Sequence, residues 1–153
     1  MTVITATTPY MVTAEAQPYF DERLNSEAWD DATEADQNKA LTMATRQIDQ
    51  LNYAGDMTED DQDNQFPRGG DTVVPNDILI ACCEIAIAFL DLADSQDDYD
   101  DLFVSQDTYG NVKSSYTSGV APLNVAAGIP SIIAWRLLTP YFRGADSIIM
   151  SKV

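Results

Sequence analysis

The apolar positions of this chain fall into two helical blocks joined by an acidic loop. From about Thr33 to Tyr53 (TEADQNKALTMATRQIDQLNY), Leu41, Ala44, Ile48 and Leu51 recur at intervals of three or four, which places them on one stripe of a helix. Lys39, Arg46 and Asp49 fall mainly outside that stripe. Thr33, with Asp36 three residues on, approximates a capping box, and Gly55 is placed to end the helix. The second block, from about Pro75 to Ala93 (PNDILIACCEIAIAFLDLA), is apolar on almost every face, with Asp77, Glu84 and Asp91 seven apart on one narrow stripe. Pro75 suits its first turn. A soluble helix that is apolar on most faces must be buried on most faces. This one is therefore either the central helix of a bundle or a helix covered by a neighbouring subunit.

The flanking segments pattern differently. Residues 1–12 are Thr-rich and β-branched without helical period, and read as an extended arm. Thr13 can cap a helix over Ala14–Leu24, with Glu15 in its first turn, and Pro18 predicts that it is short or broken. Ser26–Trp29 gives a turn with a large apolar anchor. After a second acidic run, Asp94–Asp101, the stretch Phe103–Val125 is rich in Ser, Thr, Tyr, Val and Gly, and Tyr109-Gly110-Asn111 offers turn chemistry. Gly128-Ile129-Pro130 leads into a fourth helix, Ser131–Leu138, with Pro140 at its end. The pattern predicts a mainly α fold: a small bundle of about four helices over residues 13–143, a β-hairpin or extended insertion near 103–126, an N-terminal arm and a C-terminal tail, 144–153.

Charge changes the picture more than composition does. A hydrophobic content of 45% is enough for a core in one domain of 153 residues. The net charge is -17 and is unevenly placed. Residues 1–101 carry 23 acidic and 4 basic side chains, whereas residues 102–153 carry 2 acidic and 4 basic. Such asymmetry suggests that the two ends meet different surroundings, although a solvated, salt-adapted surface explains it equally well. Tight nucleic-acid binding needs clustered Lys and Arg to displace counterions from phosphates, and eight scattered cations disfavour it.

Catalytic chemistry finds little footing. Histidine is absent, which removes His-based triads and His-ligated zinc. The two cysteines, Cys82 and Cys83, are adjacent on an apolar helix and read as small hydrophobes rather than a disulfide. Neither a GxxxxGK[ST] nor a GxGxxG run occurs. Asp61–Phe66 fails as an EF-hand at the required Gly, and position 12 is Thr72. The expectation is a protein that is not an enzyme, with no cofactor and no specific metal. The N-terminus lacks the basic and apolar regions of a signal peptide.

Three segments in order, ALTMATRQIDQLNYAGD, QFPR and VPNDILIACCEIAIAFL, followed by Val112-Lys113-Ser114 and a helix ending RLLTPYFRG, resemble the head–tail connector (adaptor, or head-completion) proteins of tailed bacteriophages. The resemblance covers most of residues 28–144. It implies a virion structural protein that forms an oligomeric ring, of twelve copies to match a portal, between the portal and the next tail or nozzle component. Genomic double-stranded DNA would pass through without sequence-specific binding. The place would be the virion neck, after synthesis in the host cytoplasm, with no membrane involved. Some members of that group carry a DnaT-like, single-stranded-DNA-binding label, so a replication accessory protein that binds single-stranded DNA is the alternative. A salt-adapted regulatory or binding domain is a third.

Under the connector resemblance the candidate interface residues are Phe66, Pro67, Arg68, Glu84, Arg143, Ile148, Ile149 and Lys152. Phe66 and Pro67 are expected to pin the loop onto the bundle. Arg68 is expected to pair with a carboxylate of its own or a neighbouring chain, and Arg46 with Asp49 on its own helix. The tail around Ile148, Ile149 and Lys152 is a candidate for docking on the portal or for adding a strand to a neighbour. Asp56, Glu59, Asp60, Asp61 and Asp63 in the loop, with Asp97, Asp98, Asp100 and Asp101 in the second run, line the channel or form a solvated outer rim.

Overall fold

A computed structural model describes residues 4–92, 106–109, 112–115 and 122–144. The fold is mainly helical, with helices α1 (Thr13–Asp21), α2 (Glu27–Asp30), α3 (Glu34–Asp49), α4 (Asn76–Leu90), α5 (Leu123–Ala126) and α6 (Ile132–Leu138), then a 3-10 turn, Thr139–Tyr141. Strands β1 (Gln106–Tyr109) and β2 (Val112–Ser115) pair antiparallel, Gln106 opposite Ser115 and Tyr109 opposite Val112. The hairpin expected near 103–126 is thus present, but Leu123–Ala126 is a helical turn rather than extended chain. The expected turn at Gly110-Asn111, the acidic run 94–101 and the tail beyond Gly144 lie outside the described residues.

The helix α4 sits at the centre. All residues from Ala81 to Ile87 are buried, so nearly two turns are covered on every side by the chain itself. Its main neighbours are α3 and α6, with α1 and α2 also in contact. The central-helix reading holds. The stripe of three carboxylates does not survive as a polar face: Asp77 and Asp91 are exposed, while Glu84 is only 3% exposed.

Along α3, Leu41, Ala44 and Ile48 are fully buried and Leu51 half-buried. Thr33 caps it by accepting from the Asp36 backbone N–H at 3.2 Å. The helix ends at Asp49, four residues before Tyr53, and Gly55 (φ 75°) belongs to the turn beyond it rather than to the helix cap. The physical reason is tertiary. The Tyr53 hydroxyl donates to the Ile48 carbonyl at 2.6 Å, the Ala54 N–H donates to the Tyr141 carbonyl at 2.8 Å, and Tyr53 forms a bridge with Phe142. Pairing with the chain's C-terminal segment competes with helix for these residues and wins.

The N-terminal elements build a second aromatic layer. Helix α1 starts after Val12, whose N–H donates to the Glu15 carboxylate at 3.4 Å, and passes through exposed Pro18 to Asp21. It is short, as expected, but unbroken at Pro18. The expected turn at Ser26–Trp29 contains helix α2, which buries Trp29 completely. The Trp29 ring stacks on Phe20 at 4.0 Å between centroids, its Nε1 donates to Gln17 Oε1 at 3.0 Å, and its carbonyl accepts from Gln37 at 2.8 Å. Every polar atom of this large side chain is therefore satisfied while its surface is buried.

Candidate interaction surfaces

The Gln65-Phe66-Pro67-Arg68 loop is held from several sides. Phe66 is 3% exposed and meets the rings of Tyr10, Tyr53 and Tyr141 edge-on, at centroid distances of 6.4, 4.7 and 5.5 Å. The Phe66–Pro67 peptide is cis, and the Pro67 carbonyl accepts from Thr58 N–H at 3.1 Å and Gln62 Nε2 at 2.9 Å. Phe66 thus pins the loop to the bundle, while the Pro67 carbonyl ties the loop to itself. Arg68 departs from expectation. Its guanidinium donates to the backbone carbonyls of Tyr53 (3.4 Å), Ala54 (3.1 Å), Gly55 and Gln65 (3.2 Å), and to Gln65 Oε1 at 2.8 Å. Neither of the two ion pairs among the described residues involves it. The loop turns back on itself and aims carbonyl dipoles inward, and a planar five-donor fork matches that cluster.

Arg46 and Asp49 do not pair with each other either. Arg46 Nε donates to Thr7 Oγ1 at 2.7 Å, and Asp49 accepts from the Tyr10 hydroxyl and from the Gln65 N–H at 3.2 Å. The Tyr10 hydroxyl in turn accepts from the Phe66 N–H at 3.3 Å, while Tyr10 N–H donates to Thr45 Oγ1 at 3.0 Å. The arm thus joins helix α3 to the loop. Burial raises the Asp49 carboxyl above its ordinary range against the pull of its two donors. Burial, then the facing Asp49, pushes the Tyr10 phenol strongly upward. The sequence gives little signal for this junction, because Tyr10 lies in a segment with no period to fix its direction.

Glu84 is engaged inside the subunit. It accepts from Arg23 at 2.7 and 3.0 Å and from the Tyr19 hydroxyl. Burial opposes its charge, yet Arg23 and Tyr19 together hold its carboxyl below the ordinary range. The Arg23 guanidinium also donates to the carbonyls of Leu24 and Asn25, so it fastens the α1–α2 connection to the central helix. Beside Glu84, burial pushes the Cys82 thiol up to about 12 and raises that of Cys83 as well.

The remaining candidates separate by exposure. Asp56, Glu59, Asp60, Asp61, Asp63 and Arg143 are exposed; Asp63 accepts from the Thr8 hydroxyl at 3.0 Å. Ile148, Ile149, Lys152, Asp97, Asp98, Asp100 and Asp101 lie outside the described residues. A surface the sequence reading missed is a groove of about 1080 Å³ beside α2, α3 and the end of α4, floored by Met43, Phe89 and Leu90. Met43, an apolar residue off the Leu41–Ala44–Ile48 stripe, is the sequence signal for it.

These features describe a small α-helical protein with an acidic exterior and a core closed by residues 10–11 and 141–142. The chain matches, over residues 2–153, the family described as putative DnaT-like ssDNA binding protein, and it belongs to that family. No curated protein and no solved structure matches it. The family's description agrees with the single-stranded-DNA alternative; nothing in these comparisons carries the resemblance to head–tail connectors.

Proposed function

We propose that the chain is a non-enzymatic structural subunit of a DNA-handling assembly, an adaptor ring between the portal and tail of a phage particle. The observation that supports this reading is the disposition of charge. Arg23 is bound to Glu84, Lys39 to Asp36 at 3.4 Å, Arg68 to loop carbonyls, and Arg46 reaches Thr7. The exposed loop beside them presents carboxylates. Such a surface repels phosphate and suits a wall past which DNA moves without being gripped. The resemblance of the ordered motifs in residues 28–144 supplies the ring and its neighbours.

The family description favours a second reading, single-stranded DNA binding. Its natural seat is the C-terminal third, where Lys113, Arg136, Arg143 and Lys152 outnumber Asp107 and Asp146. A titration of a fluorescent oligo-dT across a range of salt separates the two. The adaptor reading expects no saturable binding at physiological salt, and rings in negative-stain images when the cognate portal is added. Saturable binding that falls steeply with salt, and that Arg136→Ala with Arg143→Ala abolishes, would transfer the assignment to the second reading.

A further inference from the structure

We propose that the groove beside α2, α3 and the C-terminal end of α4 is a docking site for a basic amphipathic helix of a partner protein. Met43, Phe89 and Leu90 form its floor, and Met43 is 45% exposed without a covering neighbour among the described residues. Glu27, Asp31 and Asp91 stand at its rim, all exposed, and neither ion pair among the described residues includes them. The groove's own cation, Lys39, is held by Asp36. Arg23, on the adjoining surface, is held by Glu84. An apolar floor inside an un-neutralised acidic rim calls for an occupant with apolar residues on one face and cations beside them.

The shape argues for a helix. The groove continues past Glu27, Ala28 and Asp91 onto the face that carries Ile132 and Ile133, which are 50% and 49% exposed. Apolar patches in succession along one surface receive the i, i+3, i+4 and i+7 side chains of an amphipathic helix. A second copy of this chain fits less well. Its first 101 residues carry 23 acidic and 4 basic side chains, so over all of α1 to α4 an acidic rim would meet acidic surface. The inference rests on the assembly reading only in expecting a protein partner.

The test is fluorescence anisotropy of the full chain with a labelled peptide of Leu and Lys at helical spacing, beside a control with Glu for every Lys. The Leu/Lys peptide is expected to bind saturably, and the control not at all. Asp31→Lys with Asp91→Lys should weaken binding by roughly tenfold or more. Met43→Glu is the deciding variant. It adds negative charge, so bulk attraction to an acidic protein would tighten binding, whereas loss of the apolar floor weakens it. Asp60→Lys with Asp61→Lys, in the loop after α3 and outside the groove's lining, should leave binding unchanged. All five positions are exposed, and unchanged melting of each variant confirms an intact fold.

The proposal is overturned by tighter binding to the Met43→Glu variant, or by equal weakening from the loop reversal. It is also overturned by absence of binding. A dimer in sedimentation equilibrium that Met43→Glu dissolves would assign the surface to a second copy instead. Peptide binding is read on the isolated chain, so it can succeed where no ring forms with the portal and fail where one does.

Discussion

Glu84 is buried and Asp49 half-buried, and their surroundings give the two carboxylates opposite roles. Glu84 faces a cation and a hydroxyl, and its folded pKa lies below the ordinary 4.5. The native state therefore prefers it ionised; that contribution is complete above the ordinary value and is lost as pH falls through the folded one. Arg23→Ala would leave the buried carboxylate with only the Tyr19 hydroxyl, which costs about 3 kcal/mol, the low end for a broken buried pair because Arg23 still meets water. Urea denaturation at pH 7 measures this loss, and it should shrink in acid as Glu84 takes up a proton. Asp49 faces only neutral donors, and its folded pKa is raised. Its charge is a penalty at neutral pH, relieved as pH falls through the raised value. Asp49→Asn keeps an oxygen for Tyr10 and Gln65, so its stability at pH 7 should stay within about 1 kcal/mol of the parent or exceed it. Its acid limb should also be steeper than that of the parent, because the relief is gone. A loss well beyond that range at pH 7 would show that the charge itself holds the junction.

Among the elements, α4 was the most legible and the loop after α3 the least. An unbroken apolar run has one solution in a soluble chain, burial on every side, and periodicity alone announces it. The consequence is testable at Cys82 and Cys83. Both are buried with raised pKa values, so the native protein should resist thiol alkylation at pH 8 and react fully only in denaturant. Fast native labelling of either cysteine would mean that α4 is less enclosed than its packing implies. The end of α3 was misjudged because Gln50–Tyr53 continue a helical pattern, while their partners Tyr141 and Phe142 lie some ninety positions away. Local propensity is a weak prior against such a contact. Within the subunit Arg68 was hard to read for a related reason: an isolated cation among carboxylates suggests an ion pair, but the turn of residues 53–55 aims carbonyls at it first. Arg68→Lys keeps the charge and loses the fork, so amide exchange across 53–69 should speed by roughly tenfold, a local loss of about 1.4 kcal/mol, with global stability little changed. Equal exchange in the two proteins would mean that charge alone secures the loop.

For the whole molecule, the question is whether its charges help or oppose the fold. The described residues contain one buried ion pair and one exposed pair, the latter between side chains 75% and 55% exposed. The exposed pair contributes little, and the buried one is poorly screened by ions. Against them stands a net charge of -17, with 23 acidic and 4 basic side chains on the first 101 residues, which include all of α1 to α4. Like charges held close in the native state and spread apart in the unfolded one destabilise the compact form. This imbalance was readable from composition, but its location was not: sequence alone could not say that Arg23 and Arg68 are turned to partners inside the subunit while the loop carboxylates face water. Raising salt from about 10 mM to about 1 M shortens the screening length from about 30 Å to about 3 Å. Repulsion between exposed carboxylates should fade over that range while the Arg23–Glu84 pair persists. The melting temperature should therefore rise with salt, in sodium chloride as in a salt that is not excluded from protein surfaces, and the rise should be smaller in a variant with Asp56, Asp60 and Asp61 changed to Asn. A melting temperature that falls with salt would mean that attraction, not repulsion, dominates the surface. The acidic loop would then be a stabilising element of the isolated subunit rather than a surface kept for what passes beside it.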